Sequence, residues 1–206
     1  MAHIYIPFYS RYGNVEALAR GVAEGVRQAG SEPTLAFVGD VMTPPEVINA
    51  DERWKATHER LTAEYPIATV EDFGAADGAC LGAPTRFGVM VAQMKGFLDR
   101  MGGLWAAGTV IGKPAGFFTS TATLHGGQEV TCYTAWPVLA HLGMVIVGVP
   151  YSVQELLTTT TGGGPYGPSH VAGGNSDIPV DATELAVCRA FGERVARIAD
   201  ALKSGG

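Results

Sequence analysis

Residues 3–9 are rich in β-branched and aromatic side chains, which reads as a buried strand. A turn cluster follows, Ser10-Arg11-Tyr12-Gly13-Asn14, and then the period changes. Over residues 15–28, Leu18, Val22 and Val26 recur four apart, while Glu16, Arg20, Glu24 and Arg27 fall on other faces. That pattern predicts an amphipathic helix, with Gly30 placed to end it. Residues 34–38 form a second strand candidate. Strand, glycine-containing turn, helix and strand together predict a right-handed parallel crossover.

Residues 43–66 interrupt the rhythm. Pro44-Pro45 opens the stretch, Pro66 closes it, and the charged, helix-permissive residues between predict an exposed inserted helix. Residues 79–83 are short and apolar, as a central strand would be. They run into Pro84-Thr85-Arg86-Phe87-Gly88 and then into a helical pattern over 90–101. Residues 115–119 predict another strand, 120–127 a loop, 129–142 a helix interrupted at Pro137, and 144–149 a last core strand. Residues 158–176 are rich in Thr, Gly and Pro, and a loop of that length is usually functional or disordered. Residues 181–203 predict an amphipathic C-terminal helix with Asp181 as its N-cap. There are no internal repeats.

Five strands alternating with helices predict an α/β fold, an open parallel sheet covered on both faces, in one domain over residues 1–206. Such sheets bind ligands beyond the carboxyl ends of their strands. The loops at 10–15, 84–88 and 120–127 are therefore the ones to read for chemistry.

Charge and cysteine content narrow the function classes. A net charge of −6 argues against a nucleic-acid partner. Charged residues are 17% of the chain, below the usual quarter or so, which points to burial beyond one core and hence to a homo-oligomer. Cys80, Cys132 and Cys188 make neither a disulfide framework nor a zinc cluster, and His3, His58, His125, His141 and His170 show no metal spacing. No metal site is expected. The last apolar run, 144–149, is far too short to span a bilayer, so the expected location is cytoplasmic with no membrane partner.

The first loop combines hydroxyl, amide and glycine and opens a helix, whose N-terminus favours an anion. No Lys follows the glycine, so it is not a triphosphate-binding P-loop, and it lacks Gly-x-Gly-x-x-Gly. A single phosphate monoester fits better, although an ordinary βα turn fits equally on this loop alone. No Asp pair follows the first strand, which excludes a receiver domain. The second loop offers backbone N–H groups at Thr85, Arg86 and Phe87 to a planar heterocycle. The third, Ser120-Thr121-Ala122-Thr123-Leu124-His125-Gly126-Gly127, carries small residues that permit close backbone approach.

Longer stretches point the same way. They include Tyr9-Ser10-Arg11-Tyr12-Gly13-Asn14, Gly82-Ala83-Pro84-Thr85-Arg86-Phe87-Gly88, Gln93-Met94-Lys95-Gly96-Phe97-Leu98-Asp99, Gly102-Gly103-Leu104-Trp105, His141-Leu142-Gly143-Met144 and Gly164-Pro165-Tyr166-Gly167. Through them the chain resembles, over nearly its full length, the WrbA family of flavodoxin-like NAD(P)H:quinone oxidoreductases. The resemblance implies a flavodoxin-like doubly wound five-stranded sheet and FMN as cofactor. The 5′-phosphate would lie on Ser10, Arg11, Tyr12, Gly13, Asn14 and Val15. The isoalloxazine edge would meet Pro84, Thr85, Arg86, Phe87 and Gly88, and Ser120 to Gly126 would line the ribityl chain and pyrimidine. His141 would reach the flavin from a neighbouring subunit as the catalytic proton donor or charge partner. Tyr12 would contact the dinucleotide, and Trp105 would bound the substrate pocket.

The implied reaction is ping-pong hydride transfer from NADH or NADPH through FMN to a small-molecule quinone, in a homotetramer. The alternatives are a flavodoxin-type electron carrier and a non-catalytic flavin-binding regulatory protein. The chain departs from the flavodoxin pattern at Tyr12 and Val15, which replace threonines and shift phosphate binding toward main chain. Its third loop departs from the family form at Ala122, Leu124 and His125. His125 and Tyr166 are secondary candidates, and Cys80 and Cys132 are expected to be packing residues.

Overall fold

A computed structural model describes residues 1–204; residues 205 and 206, the end of the expected domain, lie outside the described residues. The first half contains β1 (His3–Phe8), α1 (Asn14–Gln28), β2 (Glu32–Phe37), α2 (Pro45–Asn49), α3 (Glu52–Glu64), α4 (Val70–Ala75) and β3 (Gly78–Gly82). A hairpin of β4 (Thr85–Arg86) and β5 (Val89–Met90) follows, then α5 (Ala92–Asp99) and α6 (Gly102–Ala107). The remainder is β6 (Pro114–Thr121), α7 (Gln128–His141), β7 (Val145–Ile146), α8 (Glu155–Thr158), β8 (Ser169–Val171) and α9 (Ala182–Ser204).

The sheet order is β2-β1-β3-β6-β7 with every pairing parallel, which is the flavodoxin-like doubly wound order. The order reverses at β1 and β3, so the crevice lies beyond their carboxyl ends. Ile4, Ile6, Phe8, Leu81 and Phe117 of the strands are fully buried, as are Leu18, Val22 and Val26 of α1 and Val187, Phe191 and Val195 of α9. The four-residue spacing read in the sequence is thus the core face of α1.

Five elements differ from the sequence reading. The inserted segment is two helices, because Asp51 breaks the chain and caps α3, accepting from Trp54 N at 3.0 Å. Nor is the insert merely exposed, since Ile48, Trp54 and Leu61 are buried. The 90–101 pattern divides into β5, α5 and the approach to α6, while α7 runs through Pro137 without interruption. The last strand shrinks to the two half-exposed residues of β7, and β8 forms inside the segment read as structureless. β8 pairs with the end of β6, Thr119↔Ser169 to Thr121↔Val171, so one sheet edge is built from two short strands. Glycine, proline and threonine around β8 leave no alternating pattern to read, and its pairing is a tertiary effect. At the C-terminal helix the expected cap is present as a reciprocal pair. Glu184 N donates to Asp181 Oδ1 at 2.8 Å and Asp181 N donates to Glu184 Oε2 at 3.0 Å.

Candidate functional site

The loops after β1, β3 and β6 converge on one cleft. It is lined by Ser10, Arg11, Tyr12, Asn14 and Val15 from the first, Pro84, Thr85 and Arg86 from the second, and Ser120, Thr121 and Ala122 from the third. The end of β1 is locked from below. Tyr9 donates its phenol to Asp40 Oδ1 at 2.7 Å, and Gln93 Nε2 donates to the same oxygen at 3.1 Å. Burial, with Asp40 beside it, pushes the Tyr9 phenol far above its ordinary range, so it acts as a fixed donor.

Gly13 turns the chain into α1 with φ 92°, a left-handed conformation that favours glycine. Its N–H donates to Ser10 Oγ at 3.0 Å. Among the described residues no side chain caps α1. The first-turn N–H groups of a helix have no intrahelical acceptor, so this end is open to an anion. Arg11 adds a second sign of the same preference. Its Nε is buried without a partner, although its guanidinium stacks 3.8 Å from the Trp54 ring and donates to Asp51 at 3.2 Å.

An acid sits just inside that positive end. Glu16 is buried and accepts from Arg60, from Arg20 at 2.7 Å and from Tyr65 at 2.9 Å. Burial alone would raise its carboxyl; the hydrogen bonds from Arg60, Arg20 and Tyr65 outweigh it and hold the group below the usual range. A depressed carboxylate contributes stability above its unfolded value that is lost as pH falls through the folded one. Because both arginines are about half exposed, Glu16→Gln is expected to lose only about 1–2 kcal/mol at neutral pH. Its stability curve should converge on wild type below roughly pH 4. Urea unfolding between pH 3 and 7 checks this; parallel curves across that range contradict it.

The second loop is a rigid hairpin tip. Phe87 at φ 54° and Gly88 at φ 83° make the two-residue turn between β4 and β5, a conformation that matches strand twist. Phe87 is fully exposed at the tip, and neither it nor Gly88 lines the cleft. Thr85 holds the tip by accepting from Gly88 N at 3.2 Å, and its hydroxyl meets Thr131 Oγ1 at 2.8 Å.

Only the start of the third loop reaches the cleft. Beyond Ala122 the chain folds on itself, with Thr123 O accepting from Thr121 Oγ1 at 2.9 Å and from Gly126 N at 3.0 Å. Leu124 and His125 lie in a separate surface depression with Gln128, Glu129 and Thr161. His141 ends α7, exposed, with Gly143 in the left-handed conformation just after it. The 14-residue helix puts it about 20 Å from the cleft end of α7. Trp105 on α6 is 63% exposed and lines no part of the cleft. Tyr12 does line it, with its hydroxyl committed to Asp51 at 2.6 Å. Tyr166 packs against Tyr133 and Trp136 at ring distances of 6.1 and 5.4 Å. Burial pushes the Cys80 and Cys132 thiols far up, which suits packing residues.

Two residues on the cleft wall were not singled out in the sequence, Ala172 and Ser176. The 158–176 segment signalled a functional loop by its length, but nothing in it marked individual residues. Asn14 Nδ2 donates to Ser176 O at 3.1 Å and ties this wall to the first loop. Among the described residues no three or more His, Cys, Asp or Glu side chains converge as a metal set, and no helix is long and apolar enough to cross a membrane.

Residues 10–155 match the family described as NADPH-dependent FMN reductase. The chain is 45% identical over 202 residues to a NAD(P)H dehydrogenase (quinone) of Geobacter sulfurreducens, covering 96% of this chain and 97% of that protein. It is 44% identical over 201 residues to the protein of that name from Rhodopseudomonas palustris (strain TIE-1), covering 97% and 98% respectively. Among solved structures it is similar to a WrbA-like flavodoxin from Agrobacterium tumefaciens, at a TM-score of 0.66 and 23% identity over 98% of this chain and 99% of that one. A flavodoxin from Bacillus cereus aligns at a TM-score of 0.61 and 16% identity over 95% and 98%. At those identities the two structures speak for the fold.

Proposed function

The chain belongs to the NADPH-dependent FMN reductase family and, within it, to the NAD(P)H dehydrogenases (quinone); from that premise we propose that it is an FMN-dependent NAD(P)H:quinone oxidoreductase. The observation that carries the reading is the cleft itself. An uncapped helix N-terminus and an orphaned Arg11 Nε stand at one end, and a hairpin edge and small hydroxyl residues stand at the other. These donors fit a phosphate-bearing planar cofactor.

When bound, FMN would supply the two-electron chemistry, accepting hydride from NAD(P)H and passing it to a quinone in two successive half-reactions. The chain's own residues bind and orient. Ser10 and the first-turn N–H groups of α1 would hold the phosphate, with the helix end supplying partial positive charge. Pro84, Thr85 and Arg86 would fix the ring edge through a backbone that the hairpin holds rigid. Thr121 and the neighbouring main chain would face the pyrimidine, where fixed donors stabilise developing negative charge. Gly126, Thr123, Leu124 and His125 support the third loop from outside the cleft.

His141 and Trp105 would act on a neighbouring subunit's site, since neither reaches the cleft of its own chain. The exposed faces favour such an assembly. Phe87, Val89, Val130 and Tyr133 are all about half exposed or more, and Gly88 lies against Val130. A helix as apolar outside as inside is one that another surface covers. We propose a homotetramer in the cytoplasm, with each site completed across subunits and residues 1–206 acting as one catalytic unit.

The test uses one preparation. Flavin-free protein, multimeric by sedimentation, should oxidise no NADH or NADPH with benzoquinone, and added FMN should restore turnover with parallel-line initial-rate plots. Intersecting lines would reject the two-step cycle. Bound FMN with no NADH or NADPH oxidation would instead favour the electron carrier.

A further inference from the structure

We propose that Arg53, carried on the inserted helix α3, is a positioning residue that retains the cofactor by holding the turn at residues 172–176 over the phosphate end of the cleft. The proposal rests on the FMN reading above. Arg53 Nη1 donates to Asn175 O at 2.6 Å and Nη2 donates to Ser176 O. Among the described residues no carboxylate pairs with this guanidinium; its other neighbour is the Tyr12 ring, 4.7 Å away. Two consecutive carbonyls are gripped by one planar fork, a geometry an ammonium does not reproduce.

The turn is fixed at its roots and rich in glycine at its tip. At the roots, Ala172 N donates to Thr121 O at 2.7 Å, and Ile178 N donates to Ala172 O at 3.0 Å. Beneath them lies a fully buried pair, His170 and Glu184, 2.7 Å apart. Glu184 also accepts from Val171 N at 3.2 Å, and His170 Nε2 meets Ile178 O at 3.0 Å. The tip itself contains Gly173, Gly174 and Asn175, and Ser176 holds φ 55°, a left-handed conformation uncommon outside glycine. Among the described residues only Asn14 and Arg53 hold that end through side-chain hydrogen bonds. Ser176 lines the cleft together with Asn14 at the open end of α1. Releasing Arg53 therefore leaves the wall beside the phosphate on the single Asn14 bond while the buried pair keeps the rest of the loop in place.

The experiment measures FMN association and dissociation by quenching of flavin fluorescence for wild type, Arg53→Ala and Arg53→Lys, with the melting temperature of each flavin-free protein. Both variants are expected to release FMN about tenfold faster, with association and melting unchanged, since Arg53→Ala loses both charge-assisted hydrogen bonds and Arg53→Lys loses the planar fork that grips the two carbonyls together. If Arg53→Lys matches wild type while Arg53→Ala does not, Arg53 acts only as a cation for the phosphate and the proposal is overturned. Unchanged release in both variants overturns it while the cofactor reading stands. Failure of wild type to bind FMN would overturn the cofactor reading and this proposal with it.

Discussion

Ser10→Asp is expected to weaken FMN binding about a thousandfold without unfolding the protein. Ser10 is buried at the mouth of α1, and its oxygen already accepts from Gly13 N at 3.0 Å. A carboxylate there keeps an acceptor for that N–H, so the turn retains its hydrogen bond. It also places a fixed negative charge where the first-turn N–H groups of α1 would receive a phosphate. Two unit charges about 4 Å apart at an effective dielectric of about 20 repel by about 4 kcal/mol, or three decades in affinity. Ser10→Ala removes one hydrogen-bonding group and adds no charge, so about tenfold is expected from it. Fluorescence titration of FMN with the three proteins separates the effects. If the two variants weaken binding equally, the phosphate does not lie at this helix end.

Gly192→Ala is expected to be among the most damaging conservative changes to the fold. α1 and α9 cross with their backbones in contact. A Cβ on Gly192 would stand 2.0 Å from Val22 O, and one on Gly25 would stand 1.9 Å from Arg189 O. Neither neighbour is a side-chain end that can swing away; each is main chain held inside a helix. One methyl group must push the helices apart and open the layer where Val22, Val26, Val187 and Val195 pack. Overpacking of this kind costs about 3 kcal/mol. For a chain of this size that lowers the melting temperature by roughly 6–12 °C. Gly30→Ala is a useful control, because nothing lies within 4 Å of its Cβ position; its φ of 80° makes it only a local backbone penalty. Thermal melts of the flavin-free variants decide it, and a shift below 2 °C for Gly192→Ala means that the crossing is looser than the glycines indicate.

The cleft was legible in the sequence to the extent that its turn chemistry is local. Ser10, Gly13 and Asn14 sit between a strand and a helix whose periods change abruptly, so the position of the turn follows from residues within one window. Thr85 and Arg86 follow a short apolar strand for the same reason. The end of the third loop was over-read. Thr123 and Gly126 close a turn on themselves, which sends Leu124 and His125 outward, and composition does not show which residues of a small-residue loop face inward. The insert was misjudged because its charged residues suggested solvent on all sides. Trp54 and Leu61 are its inner stripe, and Arg60 and Arg53 spend their charge on Glu16 and on two backbone carbonyls.

By itself the sequence determined the alternation of strands and helices, the first parallel crossover, the three loops that line the cleft, and the core face of α1. Each of these depends on periodicity and turn chemistry that neighbours in the chain impose on one another. Tertiary structure alone decided the pairing of β8 with β6, the bond from Asn14 to Ser176 across 162 positions, and the reach of Arg53 to the same carbonyl. It also decided that His141 and Trp105 line no part of the cleft of their own chain. Those outcomes rest on contacts between residues far apart in sequence, each weak until the sheet has brought its partners together, and no local pattern encodes them.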